Sequence, residues 1–536
     1  MRRSFVLVNI AILGVIAILA LFFWLPILWS LLLLIPILVL GIYDMWQSHH
    51  TLLRNFPVVG RIRWLMEGIR PMIQQYFIES DTDGKPVNRV FRSVVYQRSK
   101  LEMDTVPYGT QFDVYRVGYE WIGHSLDAKR VADISDNLRV IVGGPDCIRP
   151  YCTSILNISA MSFGALSSHA IMALNGGAKR GNFAHNTGEG GLSPYHLEHG
   201  GDLILQIGTG YFGCRTEKGL FDESLYSEKA TLSQIKMIEI KLSQGAKPGH
   251  GGVLPACKNT PEIALIRGVS PYNQINSPVT HSSFSNPLEL MMFVRKLRNL
   301  SGGKPVGFKL CIGFKSEFVA LCKAMIETGI NPDFITVDGG EGGTGAAPLE
   351  YSNSVGMPLM DAIAFVSDCL IGFDLKRRVK IIASGKVFTG FHLVKRLSLG
   401  ADLCNSARGM MLAMGCIQSR QCNKDTCPTG ITTQNPALVQ GLVVADKITR
   451  VANFHAQTVH SVAELIAAAG LSDTKELNRS HIFRRTSQTE IRRYDEIYPP
   501  ISQGCLLTES IPEAFHRDCQ LANAQFFNAT VCNTNG

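Results

Sequence analysis

The sequence predicts an α/β protein, a parallel (β/α)8 TIM barrel preceded by a transmembrane hairpin. Two observations carry that reading. From about residue 151, eight short β-prone runs recur, each followed by a Gly-rich or polar turn and then a helix-like segment. Ahead of them, residues 5–42 contain no charged side chain.

The hairpin comes first in the chain. As one helix, residues 5–42 would extend ~57 Å at ~1.5 Å per residue, against a hydrocarbon core of ~30 Å. Two spans fit better, about 5–24 and 27–42, with Pro26 breaking the helix and Trp24 and Trp29 at one interface. Arg2 and Arg3 precede the hairpin, and Arg54, Arg61 and Arg63 follow it, which puts both ends in the cytoplasm. A cleaved signal peptide is disfavoured by the length of the run and the lack of a small-residue cleavage site. The expectation is a protein of the inner (cytoplasmic) membrane with its catalytic domain facing the cytoplasm.

Residues 47–150, the expected N-terminal cap region, mix amphipathic segments with turns and carry no chemical motif. The β-prone runs are 155–159, 183–186, 203–207, 237–241, 306–310, 334–337, 380–383 and 403–406. They define a barrel domain over 151–470, with an open doubly wound sheet as the alternative. The long interval at 242–305 falls where a barrel places active-site loops. Residues 471–536 form an expected C-terminal appendage with a polar, Asn-rich end. The net charge of +8 is spread without long basic runs and gives no support to nucleic-acid binding. Fourteen cysteines at uneven spacing suit a reducing compartment rather than a disulfide scaffold.

Three of those cysteines form a C-x5-C-x4-C array, Cys416, Cys422 and Cys427, closed by Pro428. Three thiolates can hold three irons of a cuboidal cluster and leave the fourth corner vacant. Zinc fits less well, because no His lies in the stretch. Structural cysteines acting as small hydrophobes are the plain alternative.

The last three strands each end in glycine. Gly339 and Gly340 follow strand six, Gly385 follows strand seven and Gly409 follows strand eight. Such loops let backbone N–H groups approach phosphate, so they point to a phosphorylated cofactor. Beside an iron–sulfur motif, FMN is the natural candidate. Earlier loops bring Asn186-Thr-Gly-Glu189, then Lys241, Lys247 and Arg267, while Lys309 sits inside an apolar strand. These cations are candidates to converge on a flavin and a dicarboxylate, where Arg can pair bidentately.

Several motifs together resemble one family. Ser159-Ala-Met-Ser-Phe-Gly-Ala-Leu-Ser167, Asn186-Thr-Gly-Glu-Gly-Gly191, Gln244-Gly-Ala-Lys-Pro-Gly249, Gly342-Gly-Thr-Gly-Ala346 and the cysteine array occur in order. Over about 150–440 they resemble the FMN-binding synthase domain of bacterial and plant glutamate synthases. The resemblance implies a (β/α)8 barrel with FMN and a [3Fe-4S] cluster that reduces 2-iminoglutarate, formed from 2-oxoglutarate and ammonia, to L-glutamate. It implies Lys247 beside the flavin, Lys241 and Arg267 at the oxoacid carboxylates, and Glu189 as a polar active-site residue. Cys416, Cys422 and Cys427 would be cluster ligands, and the phosphate would meet Gly339, Gly340, Gly385 and Gly409. Ser162, Asn186, Gln206 and Lys309 complete the expected cofactor-binding set. An external donor such as ferredoxin or a flavoprotein reductase would supply electrons.

There are departures. The family's Lys-Pro-Gly-Glu-Gly-Gly-Gln reads here Lys247-Pro-Gly-His-Gly-Gly-Val253, losing a carboxylate and an amide. The resemblance also leaves out the glutaminase domain of the large synthases, so no glutamine hydrolysis in cis is expected. Two further readings stand beside a glutamate synthase. One is an FMN and iron–sulfur enzyme acting on a different amino or oxo acid, perhaps quinone-coupled; the other is a non-catalytic membrane electron relay.

Overall fold

The computed structural model describes residues 1–134 and 138–527, and the polar tail beyond lies outside them. The chain divides into two compact units, Met1–Pro86 and Val87–Gly536.

In the first unit, helix α1 (Arg2–Phe22) is followed by a helical turn, Leu25–Ser30, that runs into α2 (Leu31–Trp46). Arg2–Phe22 and the continuous run Leu25–Trp46 are each long and apolar enough to cross a membrane. Asp44, near the end of α2, is fully buried and accepts hydrogen bonds from the Arg61 guanidinium (Nη2 2.5 Å) and from Val58 N (2.9 Å). Helix α3 (Arg61–Ile73) starts at that contact.

The second unit is built on eight parallel strands: β1 (Leu156–Ile158), β2 (His185–Asn186), β3 (Leu203–Ile207), β4 (Ile235–Lys241), β5 (Val306–Leu310), β6 (Phe334–Asp338), β7 (Lys380–Ser384) and β8 (Leu403–Ser406). Each of the eight β-prone runs supplies one of them. β8 pairs with β1 in parallel, Cys404 opposite Leu156, so the sheet closes and the open doubly wound alternative is excluded. The strands read as near-continuous Ile, Leu, Val and Phe because helices cover one face and the packed interior the other. All five residues of β3 and of β5 are buried.

Side chains at strand–helix junctions set where the outer helices begin. Ser167, Asp222, Asn286 and Thr389 each accept a bond from a backbone N–H in the first turn of the helix that follows. The long helix Val444–Ala468 lies on Ser168–Gly181. A Cβ at Gly177 would come 2.4 Å from Val451, so only glycine permits this approach.

Two features fall outside the repeating pattern. An antiparallel hairpin, Arg139–Val142 with Tyr151–Ser154, packs Val142 and Tyr151 against Ala184, Ile204, Met237, Phe334, Ile382 and Leu403, and so plugs the N-terminal end of the barrel. The cap region and the appendage, expected as separate pieces, share one antiparallel sheet: Glu120–Ile122 pairs with Ile482–Arg485, which pairs with Ile491–Arg493. Glu120 receives Lys395 Nζ at 2.5 Å, Arg484 Nε at 2.7 Å and Tyr494 OH at 2.7 Å. Burial pushes the Glu120 carboxyl up, but Lys395 and Arg484 outweigh it and hold the group below its usual value.

Two outcomes follow for this sheet. Glu120→Ala leaves two cations facing each other without their anion and should cost ~3 kcal/mol in chemical denaturation of the full chain. The lowered carboxyl contributes stability that is present above about pH 4.5 and is lost as the pH falls through its folded value. Acid titration of stability should therefore flatten in this variant.

Candidate active site at the C-terminal mouth of the barrel

Polar residues gather where the strands end. Glu239 on β4 is fully buried; its Oε1 accepts from Asn186 Nδ2 on β2 (2.8 Å) and Gln206 Nε2 on β3 (2.6 Å). Its Oε2 accepts from Thr336 Oγ1 on β6 at 2.6 Å. Asn186 and Gln206, expected as cofactor contacts, thus commit their amide N–H groups to a carboxylate that sequence reasoning did not single out. The signal was a Glu inside Met237-Ile-Glu-Ile240, which is costly in an apolar strand unless partners meet it.

One layer further out, Lys241 Nζ donates to Glu189 Oε1 at 2.6 Å. Burial raises the Glu189 carboxyl, but Lys241, then Arg267 and Lys309, hold it below its usual range, so it is ionised. Glu189 is wedged between two glycines: a Cβ at Gly252 would lie 2.3 Å from its Oε1, and one at Gly208 2.7 Å from its Cβ. Lys309 stands 3.8 Å from Asp338 Oδ2.

Two cations remain underused. Lys247 is 2% exposed yet has no hydrogen-bond or ion-pair partner among the described residues, and burial pulls its ammonium down to about 8. Arg267 donates to Phe163 O at 3.1 Å and lies 3.4 Å from Ser162 Oγ, while its buried Nε has no partner among the described residues. Burial lowers that guanidinium to about 10. Asn405 Oδ1, on β8, is likewise buried and unsatisfied.

The expected glycines sit at the same end. Gly339 and Gly340 follow β6, and Gly385, with φ +145°, follows β7. Gly409 lies in the short helix Arg408–Ala413 after β8. A residue the sequence reading passed over joins them: Arg408 lies against Gly343, 2.8 Å from where a Cβ there would stand, and its Nη2 reaches Glu341 O at 3.4 Å. His250 Nδ1–H donates to Gly251 O (2.8 Å), and the ring stands edge-on to Tyr351, centroids 5.3 Å apart.

The three array cysteines lie on one loop beside this mouth. Cys422 Cβ is 3.8 Å from the Cβ position of Gly345 in the β6 loop. Burial, with Cys422 and Cys427 nearby, pushes the Cys416 thiol up to about 11. The Thr429 and Thr432 hydroxyls lower the Cys427 thiol in spite of its burial. Among the described residues no three His, Cys, Asp or Glu side chains converge into a ready metal site, these cysteines included.

The loop is nonetheless held hard. Gln418, Arg420 and Asp425 all adopt left-handed backbone, a strain that persists only where surroundings impose it. Lys258, buried and absent from the sequence reading, supplies much of that: its Nζ donates to Ala165 O (3.0 Å), Cys422 O (2.8 Å) and Thr432 O (2.6 Å). Ser167 Oγ bonds Gly430 O at 2.7 Å, and Tyr96 OH bonds Cys416 O at 2.6 Å.

A family model described as the conserved region in glutamate synthase matches residues 124–472. The chain belongs to the glutamate synthase family. It is 36% identical over 495 residues to the glutamate synthase large subunit-like protein YerD of Bacillus subtilis, covering 85% of this chain and 94% of the relative. It is 31% identical over 366 residues to the archaeal glutamate synthase [NADPH] of Methanocaldococcus jannaschii, covering 67% of this chain and 66% of that protein. Among solved structures, a putative lactate oxidase of Pediococcus acidilactici is similar with a TM-score of 0.44 and 13% identity, over 73% of this chain and 93% of the other.

Two measurements test the geometry. Lys258→Met leaves three carbonyls without a donor and should lower the opening free energy of the cysteine loop by ~2 kcal/mol. Amide exchange across residues 416–434 should then quicken ~30-fold, with the barrel strands unchanged. Binding of an oxoacid anion, followed by calorimetry, should weaken as the pH rises through about 8, where Lys247 loses its charge. Lys247→Met should abolish that pH dependence.

Proposed function

We propose that this protein is a membrane-held oxidoreductase that forms L-glutamate from 2-oxoglutarate and ammonia, using FMN and a [3Fe-4S] cluster. The observation that carries the reading is the surplus of buried positive charge at the barrel mouth. Arg267 Nε keeps an unmet buried donor among the described residues and the Lys247 side chain is buried, while Lys241 and Lys309 are balanced by Glu189 and Asp338. A dicarboxylic oxoacid brings the two negative charges that such a site lacks.

The residues also suit the cofactors. The glycines after β6, β7 and β8 offer backbone N–H groups to a phosphorylated ligand, and the unsatisfied Asn405 Oδ1 is an acceptor suited to a ring N–H of the same ligand. Cys416, Cys422 and Cys427 offer three thiolates for three irons on a loop already braced by Lys258. Bound there, the flavin supplies a hydride to an imine carbon and the cluster supplies electrons singly.

The chain's own part is positioning and charge. Arg267 and Lys247 hold the carboxylates and fix the imine carbon's face. Lys241, bonded to Glu189, keeps a proton at Nζ within the mouth, available to the nitrogen that becomes the amine. Electrons come from an external donor such as ferredoxin or a flavoprotein reductase. The two N-terminal apolar runs hold the enzyme at the cytoplasmic face of the membrane.

A second reading keeps the cofactors and changes the substrate. His250 stands against Tyr351 where the family carries a Glu, and an imidazole there favours a different acyl end from that of 2-oxoglutarate.

The decisive assay is anaerobic, with reduced ferredoxin, 2-oxoglutarate and 15N-ammonium. Labelled glutamate should exceed a Cys422→Ser control at least ~10-fold. Protein with full flavin and iron that forms no glutamate, yet aminates another oxoacid, overturns the first reading in favour of the second.

A further inference from the structure

The chemistry of the barrel makes no use of residues 61–73. There Ile62, Leu65, Met66, Ile69, Met72 and Ile73 recur at i, i+3, i+4, i+7, i+10 and i+11, one stripe along a helix, while Arg63, Glu67 and Arg70 occupy the opposite side. The helix is formed as α3, but most of the stripe is bare: Ile62 is 54% exposed, Leu65 60%, Met66 47% and Met72 54%, with Ile69 half-buried among them. A helix of this length is marginal in water on its own. Each large apolar side chain gains free energy when covered. The stripe therefore calls for an apolar partner.

Four observations name that partner as lipid. α3 comes after Arg2–Phe22 and Leu25–Trp46, both of membrane-spanning length, with only the short helix Thr51–Asn55 between. Its first residue is clamped to the end of the second run, because Arg61 Nε lies 3.1 Å from each Asp44 oxygen and Val58 N bonds the same carboxylate. The helix therefore begins where the second span ends. Its polar side carries Arg63 and Arg70 against Glu67, a positive balance that suits anionic headgroups. Trp46, 87% exposed at the end of α2, is the residue type that marks a membrane interface.

We propose that α3 lies in the plane of the membrane surface, with its apolar stripe sunk among acyl chains and its arginines on anionic headgroups. Hairpin and α3 then act as one binding unit. This inference rests on reading the hairpin as a membrane anchor. It adds that the chain leaves the bilayer along its surface instead of straight into the cytoplasm.

The test uses the full-length protein in phosphatidylcholine vesicles with and without about a third phosphatidylglycerol, a content in the anionic range that attracts basic segments. The photoreactive residue p-benzoylphenylalanine replaces Leu65, Ile69 or, on the polar side, Glu67. Carbonate extraction first reports whether the hairpin is integral. The expected result is lipid adducts at 65 and 69 at least ~5-fold above 67, with Arg63→Glu and Arg70→Glu reducing them in the anionic vesicles. Integral protein whose 65 and 69 labels react with protein, with a second copy, or with lipid no more than the 67 label overturns the inference alone. Release by carbonate overturns the anchor reading beneath it.

Discussion

Glu239 is the constraint on which the barrel mouth depends. A carboxylate taken out of water is costly unless its lone pairs are met, and here three short bonds from Asn186, Gln206 and Thr336 meet them. Those donors sit on three different strands, so the charge on β4 fixes the depth of β2, β3 and β6 relative to one another. The effect spreads outward. Asn186 Oδ1 accepts from Gly188 N at 3.0 Å, which sets the turn that delivers Glu189 to Lys241. A hydrophobic residue at 239 would pack the strand but release the amides, and with them the loop that presents the ion pair.

The cysteine loop is coupled to this arrangement through shared neighbours. The segment 162–167 gives Phe163 O to Arg267 on one side, and Gly164 O and Leu166 O to Gln434 on the other. Gln434 in turn donates its backbone N–H to Asp425, inside the cysteine array. Lys258 joins the same segment to Cys422 through a single ammonium. Arg267 and the thiol loop therefore rest on one stretch of backbone, and a shift in either is felt by the other.

Much of this was legible in the sequence, and the rest was not for a physical reason. All eight barrel strands were readable because parallel strands buried on both faces appear as short apolar runs bounded by glycine and polar turns. The cationic residues Lys241, Lys247, Arg267 and Lys309 were visible as charges in apolar surroundings, and the structure gathers them at one mouth. Lys258 and Arg408 were invisible for the opposite reason. Their partners are backbone carbonyls far away in the chain, which leave no mark on composition or spacing. The same applies to Glu120–Ile122, a short strand whose partner follows more than three hundred residues later. The cysteine array was found by spacing, and spacing does not report whether three thiols converge; among the described residues they do not.

Closure of the barrel by β8 on β1 has a consequence for how the protein is made. Leu156 gets its partner only when Cys404 has left the ribosome. At ~5–20 residues per second, that leaves β1 with an unpaired edge for on the order of tens of seconds. During that time the hydrogen-bonding groups of an apolar strand are open to any passing chain. The N-terminal run emerges first, so a nascent chain captured at the bilayer would spend this vulnerable interval tethered and spaced from its neighbours. Insertion would then serve biogenesis as well as location, protecting an unfinished cylinder from its own kind.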